Sequence, residues 1–180
     1  EVMAMDKQRT IIAATLVAAV LLAGCATPRA PDPTAEVPHC YKTNKGRVIA
    51  CTQAPAPSLN ADADAKRFTP DPNALTVYVV RKRWGDARNA VRLSPDMGAA
   101  IVTVPESLVR LRLKPGSHTL AADWDEGRAS IDIGGAAGEV VFVELVGSVW
   151  SWGSSYRLER GDPTESRARA APLRLVADVG

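Results

Sequence analysis

Thiols and imidazoles carry much of the covalent and metal chemistry open to a protein, and this chain holds few: Cys25, Cys40, Cys51, His39 and His118. Cys40 and Cys51 lack the CxxC spacing of redox and zinc pairs, and His39 beside Cys40 adds one nitrogen, not a ligand set. No metal site is expected. His118 would need a serine and an aspartate, with Asp123 and Asp125 nearest in sequence, yet no Gly-X-Ser-X-Gly elbow occurs and Gly147-Ser148-Val149-Trp150-Ser151-Trp152-Gly153 does not supply one. A histidine hydrogen-bonded beside a turn is the simpler expectation, with no catalytic residue; a hydrolase or enzyme inhibitor built on a cleft near His118 is the alternative. Gly134-Gly135-Ala136-Ala137-Gly138 lacks the GxGxxG register and reads as a turn between strands, so no cofactor is expected.

Binding chemistry has better candidates. Trp150 and Trp152 stand two apart, so in a strand they share one face and offer large apolar area with a polar handle to a sugar ring or a protein partner; the competing expectation is that they cap the core. Trp84 follows Arg81, Lys82 and Arg83 in what looks like an exposed loop, a setting for a cation-π pair. Arg110, Arg112 and Lys114 form a basic row along a strand, either an anion-attracting surface or a solvated face. The candidate binding surface is therefore Trp150, Trp152, Trp84, Arg110 and Arg112. Net charge is +2 from 22 basic and 20 acidic residues. That field is too weak to argue for nucleic acid.

Cys25 belongs to a different stretch. Lys7 and Arg9 precede an uncharged run from Thr10 to Gly24, shorter than a spanning helix and closed at once by Pro28, Arg29, Pro31, Asp32 and Pro33, which is the outline of a cleaved signal peptide. Leu22-Ala23-Gly24-Cys25 resembles the lipobox of bacterial lipoproteins. The resemblance implies diacylglycerol on the Cys25 thiol, cleavage after Gly24 and acylation of the new amino terminus, an anchor durable because it has more than one chain. With Ala26 next, it also implies an outer-membrane protein facing the periplasm, whose partners are the membrane itself and an envelope protein or glycan. In such an oxidising compartment Cys40 and Cys51 read as a disulfide closing a hairpin, with Asn44 and Gly46 suited to its turn.

The elements that must position these residues follow from pattern. Residues 1–24 are the signal peptide, 25–39 a Pro-rich extended tether, 40–51 the closed hairpin, 52–73 a second linker with at most a short helix, and 74–178 the folded domain. From residue 74 short alternating runs are broken by Gly, Pro and Asp. Strands are expected over 75–81, 90–93, 99–104, 108–114, 118–124, around Ile131 and Ile133, over 140–146, over 154–160 and over 173–177. The 140–146 run, being the most apolar, is expected at the centre. Asp162-Pro163-Thr164-Glu165 reads as a helix start with Asp162 as cap and Glu165 reaching back. The fold class is all-β: an antiparallel β-sandwich of about seven to eight strands, transthyretin-like or Ig-like, with one short helix near the C-terminus.

Tyr78-Val79-Val80-Arg81, the Leu113-Lys114-Pro115-Gly116-Ser117-His118 turn and the Gly138 to Phe142 strand together resemble a family of bacterial lipoprotein domains of unknown function. The resemblance implies a small sandwich and carries over no catalytic residues. The disulfide hairpin and Trp150 with Trp152 depart from the family pattern.

Overall fold

Leu75–Arg81 reads Leu-Thr-Val-Tyr-Val-Val-Arg, with no polar alternation, and all seven residues are buried. Such a strand needs cover on both faces. It is the middle strand of a five-stranded sheet in the computed structural model, which describes residues 30–82 and 90–180. The expected signal peptide, Cys25 and Trp84 lie outside the described residues. Asp32–Gly180 is one compact unit.

In chain order the elements are β1 (Cys40–Lys42), β2 (Val48–Cys51), α1 (Leu59–Ala65), β3 (Leu75–Arg81), β4 (Val91–Pro95), β5 (Ile101–Thr103), β6 (Ser107–Leu113), β7 (Gly116–Trp124), β8 (Gly127–Gly135), β9 (Val140–Trp150), β10 (Gly153–Arg160), α2 (Pro163–Ala170) and β11 (Arg174–Val179). They form a hairpin of β1 and β2, a five-stranded sheet β10-β9-β3-β6-β11 and a four-stranded sheet β5-β4-β7-β8. The protein is thus mostly β, as expected, with two short helices where one was expected.

The two large sheets pack face to face. Val77, Val79, Leu111 and Val143 of one meet Leu93, Leu120 and Ile133 of the other in the main core. Alternation sends Tyr78, Val80, Leu108 and Phe142 to the opposite face, where Ala65, Phe68 and Ala170 cover them. The sandwich therefore carries a third layer built partly from residues 52–73, which do more than link. Phe68 shows why: its φ of 51° is unfavourable by about 1–2 kcal/mol. Burying its ring against Tyr78 and Phe142, at centroid distances of 5.0 and 5.6 Å, returns about 2–3 kcal/mol, so the packing wins.

Three further expectations change. The five-stranded sheet is mixed, because β3 runs parallel to β9 and β6 parallel to β11. Parallel neighbours need long crossovers, supplied here by the β7-β8 excursion through the other sheet and by α2. The centre is β3, not the more apolar 140–146 run, since β3 is covered along its whole length. Glu165 does not reach back; it pairs with Arg169 at 2.6 Å, while Asp162 alone caps α2 by accepting the N–H groups of Thr164 and Glu165 at 2.9 and 3.0 Å.

The amino-terminal pieces belong to the same body. Cys40 and Cys51 face each other in register and are disulfide-bonded, and Gly46 takes the turn with φ 78°. Tyr41 is buried in the main core, so the hairpin is docked. The segment before it is shorter as a tether than 25–39 suggested: the Asn60 N–H donates to the Pro33 carbonyl at 3.1 Å, and Val37 bridges Ala56.

Candidate binding surface

The β9-β10 hairpin ends in the two-residue turn Ser151-Trp152, with Trp150 opposite Gly153. Trp150 and Trp152 are 60% and 82% exposed, so neither caps the core. Their rings stack at 5.7 Å with 6° between planes. Stacking cannot hide them, because the outer face of each indole stays in water.

The stem beneath this tip is held at several points. Glu126, in the β7-β8 turn, accepts the Ser154 N–H and also the Ser154 hydroxyl at 2.7 Å. Those two donors, the hydroxyl first, hold the Glu126 carboxyl below its ordinary range. One turn further in, Tyr156 packs on Trp124 at 5.1 Å and lies under the Arg81 guanidinium at 5.6 Å. Trp124 in turn presses on Gly127, where a Cβ would come within 2.8 Å of the indole. A glycine is needed there. Arg81, expected in an exposed loop, is instead buried at the end of β3 and donates to the Thr103 carbonyl and hydroxyl at 2.7 and 3.0 Å. The hairpin is thus a braced projection with an apolar end.

The basic row behaves differently. Arg110 grips both oxygens of Asp178 at 2.9 and 2.7 Å and reaches Asp64 at 2.9 Å, while Arg112 donates to Asp178 at 2.8 Å. Asp178 first, then Asp64, pushes the Arg110 guanidinium further above its usual range despite burial. Beside it the Tyr78 hydroxyl donates to the Ala65 carbonyl at 2.8 Å, and burial raises its pKa. Arg110 and Arg112 are therefore paired within the fold, since α1 and β11 bring carboxylates onto them.

His118 sits beside its turn as expected. Nδ1 lies 2.5 Å from Asp96 and Nε2 lies 2.7 Å from the Lys114 carbonyl. A carbonyl can only accept, so Nε2 carries a proton, and the carboxylate favours one on Nδ1 as well. Asp96, followed by that carbonyl, raises the His118 pKa. His118 in turn, helped by the Thr119 N–H at 2.9 Å, lowers that of Asp96. A general base needs a ring nitrogen free to take a proton from a nucleophile. Both are occupied here.

Among the described residues no three His, Cys, Asp or Glu side chains converge as a metal site, and no helix is long and apolar enough to cross a membrane. Sequence reasoning named Trp150 and Trp152 but missed the residues that brace or spend charge: Glu126, Asp64, Asp178 and buried Asp62. Asp62 shows the pattern best. Burial disfavours its charge, but Lys66 at 2.7 Å and the Leu175 N–H at 2.6 Å outweigh that and lower its pKa. The only sequence signal was an acidic residue inside an otherwise small-residue run, Ala61-Asp62-Ala63-Asp64-Ala65. No family model matches this chain, and no similar protein was found among curated ones.

Proposed function

We propose that this protein is a lipid-anchored lipoprotein of the bacterial outer membrane, facing the periplasm, whose domain is a non-catalytic binding module. The observation that carries the reading is Leu22-Ala23-Gly24-Cys25 at the end of a basic start and a short apolar run. The Cys40–Cys51 disulfide suits an exported chain. The engagement of both His118 nitrogens argues against hydrolysis at that residue, and the braced Trp150–Trp152 tip is the surface that a binding role would use. Membership of the family of lipoprotein domains of unknown function is part of the same proposal.

The finer fold follows as a proposal too. In an Ig constant-type sandwich the first two strands share a sheet. Here the first two strands of the sandwich, β3 and β4, lie in different sheets, which counts against the Ig-like reading and leaves the transthyretin-like one as the proposal.

The test is mass spectrometry of the native amino-terminal peptide. A mature chain beginning at Cys25 with a diacylglyceryl thiol and an acylated amine is the expected result. A free Cys25 sulfhydryl would remove both the anchor and the address.

A further inference from the structure

We propose that the Trp150–Trp152 tip is a second membrane contact, seating its paired indoles in the neutral headgroup region of the bilayer that the Cys25 lipid enters. The proposal rests on the lipid-anchor reading above and adds the partner of the exposed pair.

Strand register carries the geometry. Leu145, Arg81, Ser107 and Arg174 define one level across the five-stranded sheet. From that level β9 runs on to Trp150, about 17 Å at roughly 3.3 Å per residue. The β7-β8 turn braces the hairpin at Ser154, opposite Val149, and its Glu126 also lies against Gly153, while the side chains of Trp150 and Trp152 project beyond that brace. The amino-terminal chain comes in at the same end of the sheet. Arg174 donates to the Pro57 carbonyl, and Asn60, just inside α1, donates to Pro33. From Cys25 to Asp32 the backbone reaches at most about 25 Å. A bilayer holding the Cys25 lipid is therefore within reach of the end of the domain from which the tip projects.

Chemistry selects the lipid. Indoles favour the boundary between headgroups and acyl chains, where the ring is shielded and the N–H remains wet. A glycan platform pairs its rings with convergent polar groups that orient the sugar. At this tip Glu126 is already committed to Ser154, and Asp125 is the one other carboxylate of the adjacent turn. With Asp125 and Glu126 in the adjacent turn, no attraction to anionic lipid is expected. The contact is with neutral headgroups.

The test uses the chain from Ala26 onward, which lacks both lipid and apolar run yet keeps Asp32–Gly180, the unit that contains both hydrophobic cores. Cosedimentation with phosphatidylcholine vesicles should show partitioning, and brominated acyl chains should quench its tryptophan fluorescence. Trp150→Ser with Trp152→Ser should lower the partition coefficient by at least ~tenfold, the weight of two withdrawn indoles. Trp150→Phe with Trp152→Phe, which keeps a stacked apolar tip, should give an intermediate loss, and one quarter phosphatidylglycerol should not strengthen binding. Failure of the intact chain to partition, unchanged partition in the Ser variant, or Trp-dependent binding to isolated peptidoglycan in place of vesicles would overturn the proposal. Because this chain carries no lipid, those outcomes are independent of whether native Cys25 is acylated.

Discussion

Two regions were candidate surfaces on sequence grounds, the arginines of β6 and the tryptophans at the end of β9, and the fold treats them in opposite ways. Arg110 lies where α1 covers the sheet beside its edge strand β11, so Asp64 and Asp178 meet it and its side chain is only 12% exposed. Trp150 and Trp152 lie past the last residue of any covering element. A charged row under a covering layer is absorbed by counter-charges, whereas an apolar pair beyond the layer has nothing in its own chain to bury it. Exposure of the pair is then a property of topology, and a surface that the fold leaves unsatisfied is where a partner gains most.

The sharpest way to break this comparison is to treat Arg110 as the surface residue it resembled. Arg110→Met would take from Asp178 the partner that grips both its oxygens, leaving Arg112, and from half-exposed Asp64 its main partner, leaving Arg67. A loss of about 1.5–3 kcal/mol is expected, the range for hydrogen bonds to charged groups. Urea denaturation of the variant measures it. Arg110→Met with Asp178→Leu should recover a large part of the loss, because the stranded charge is gone. A loss below about 0.5 kcal/mol, the ordinary surface value, would return Arg110 to the solvated face.

A smaller effect is expected from His118, the other residue that sequence chemistry singled out. Its pKa is raised in the fold, so its contribution is complete below the ordinary value near 6.5 and is lost as pH rises through the higher folded value. Asp96 has the opposite sign. Its contribution is present above the ordinary value near 3.8 and is lost as pH falls through the lowered folded value. The contribution of this pair to thermal stability should therefore be greatest from about pH 4 to about pH 6.5 and decline above it. His118→Gln should flatten the upper decline, measured as melting temperature against pH. Persistence of that decline in the variant would mean that another group titrates there.

The sequence made the strands legible, and with them the Asp162 cap of α2 and the turn at Gly46, because those rest on period and on residues with narrow backbone preferences. Cys40 with Cys51 and the hydrogen bonding of His118 beside its turn were legible for the same reason: each depends on spacing or on a local turn. What spacing could not convey was cover. The alternation in 108–114 shows that Arg110 and Leu111 face opposite ways, but which face is roofed depends on Asp64 and Asp178, each distant in the chain. The roof itself was hidden because 52–73 is rich in Pro, Ala and Asp, a linker composition, and its decisive apolar residue is Phe68 in an unfavourable backbone conformation. The unbroken burial of β3 was the available clue, since a strand without polar alternation announces two covered faces.

At the opposite end of the sandwich, the β4-β5 turn presents one more exposed apolar side chain. Met97 is 89% exposed and holds φ at 58°, next to Asp96 at 49°. Aspartate tolerates that conformation and methionine does not. Met97→Asn should therefore stabilise the protein by about 0.5 kcal/mol, read as a shift in the urea midpoint at unchanged slope. This residue is the proper control for the tryptophans: a lone apolar side chain at a far turn, whose replacement should leave vesicle partition unchanged.

The smallest effect on stability is expected where the effect on binding is largest. Trp150 and Trp152 bury little except against each other, and a stacked aromatic pair contributes about 0.5–1.5 kcal/mol beyond area burial at most. In water, at a hairpin tip held from below by Glu126 and Tyr156, the lower end of that range applies. Trp150→Ser with Trp152→Ser should thus lower the stability read from urea denaturation by no more than about 0.5 kcal/mol, within the range of ordinary surface substitutions. A loss of 2 kcal/mol or more would show that the indoles support the β9-β10 stem, and would make them a structural element like Arg110. Glu126→Gln separates the two cases. It loosens the brace on Ser154 without touching either ring, so under the present reading it should cost the stem more stability than removing both tryptophans does.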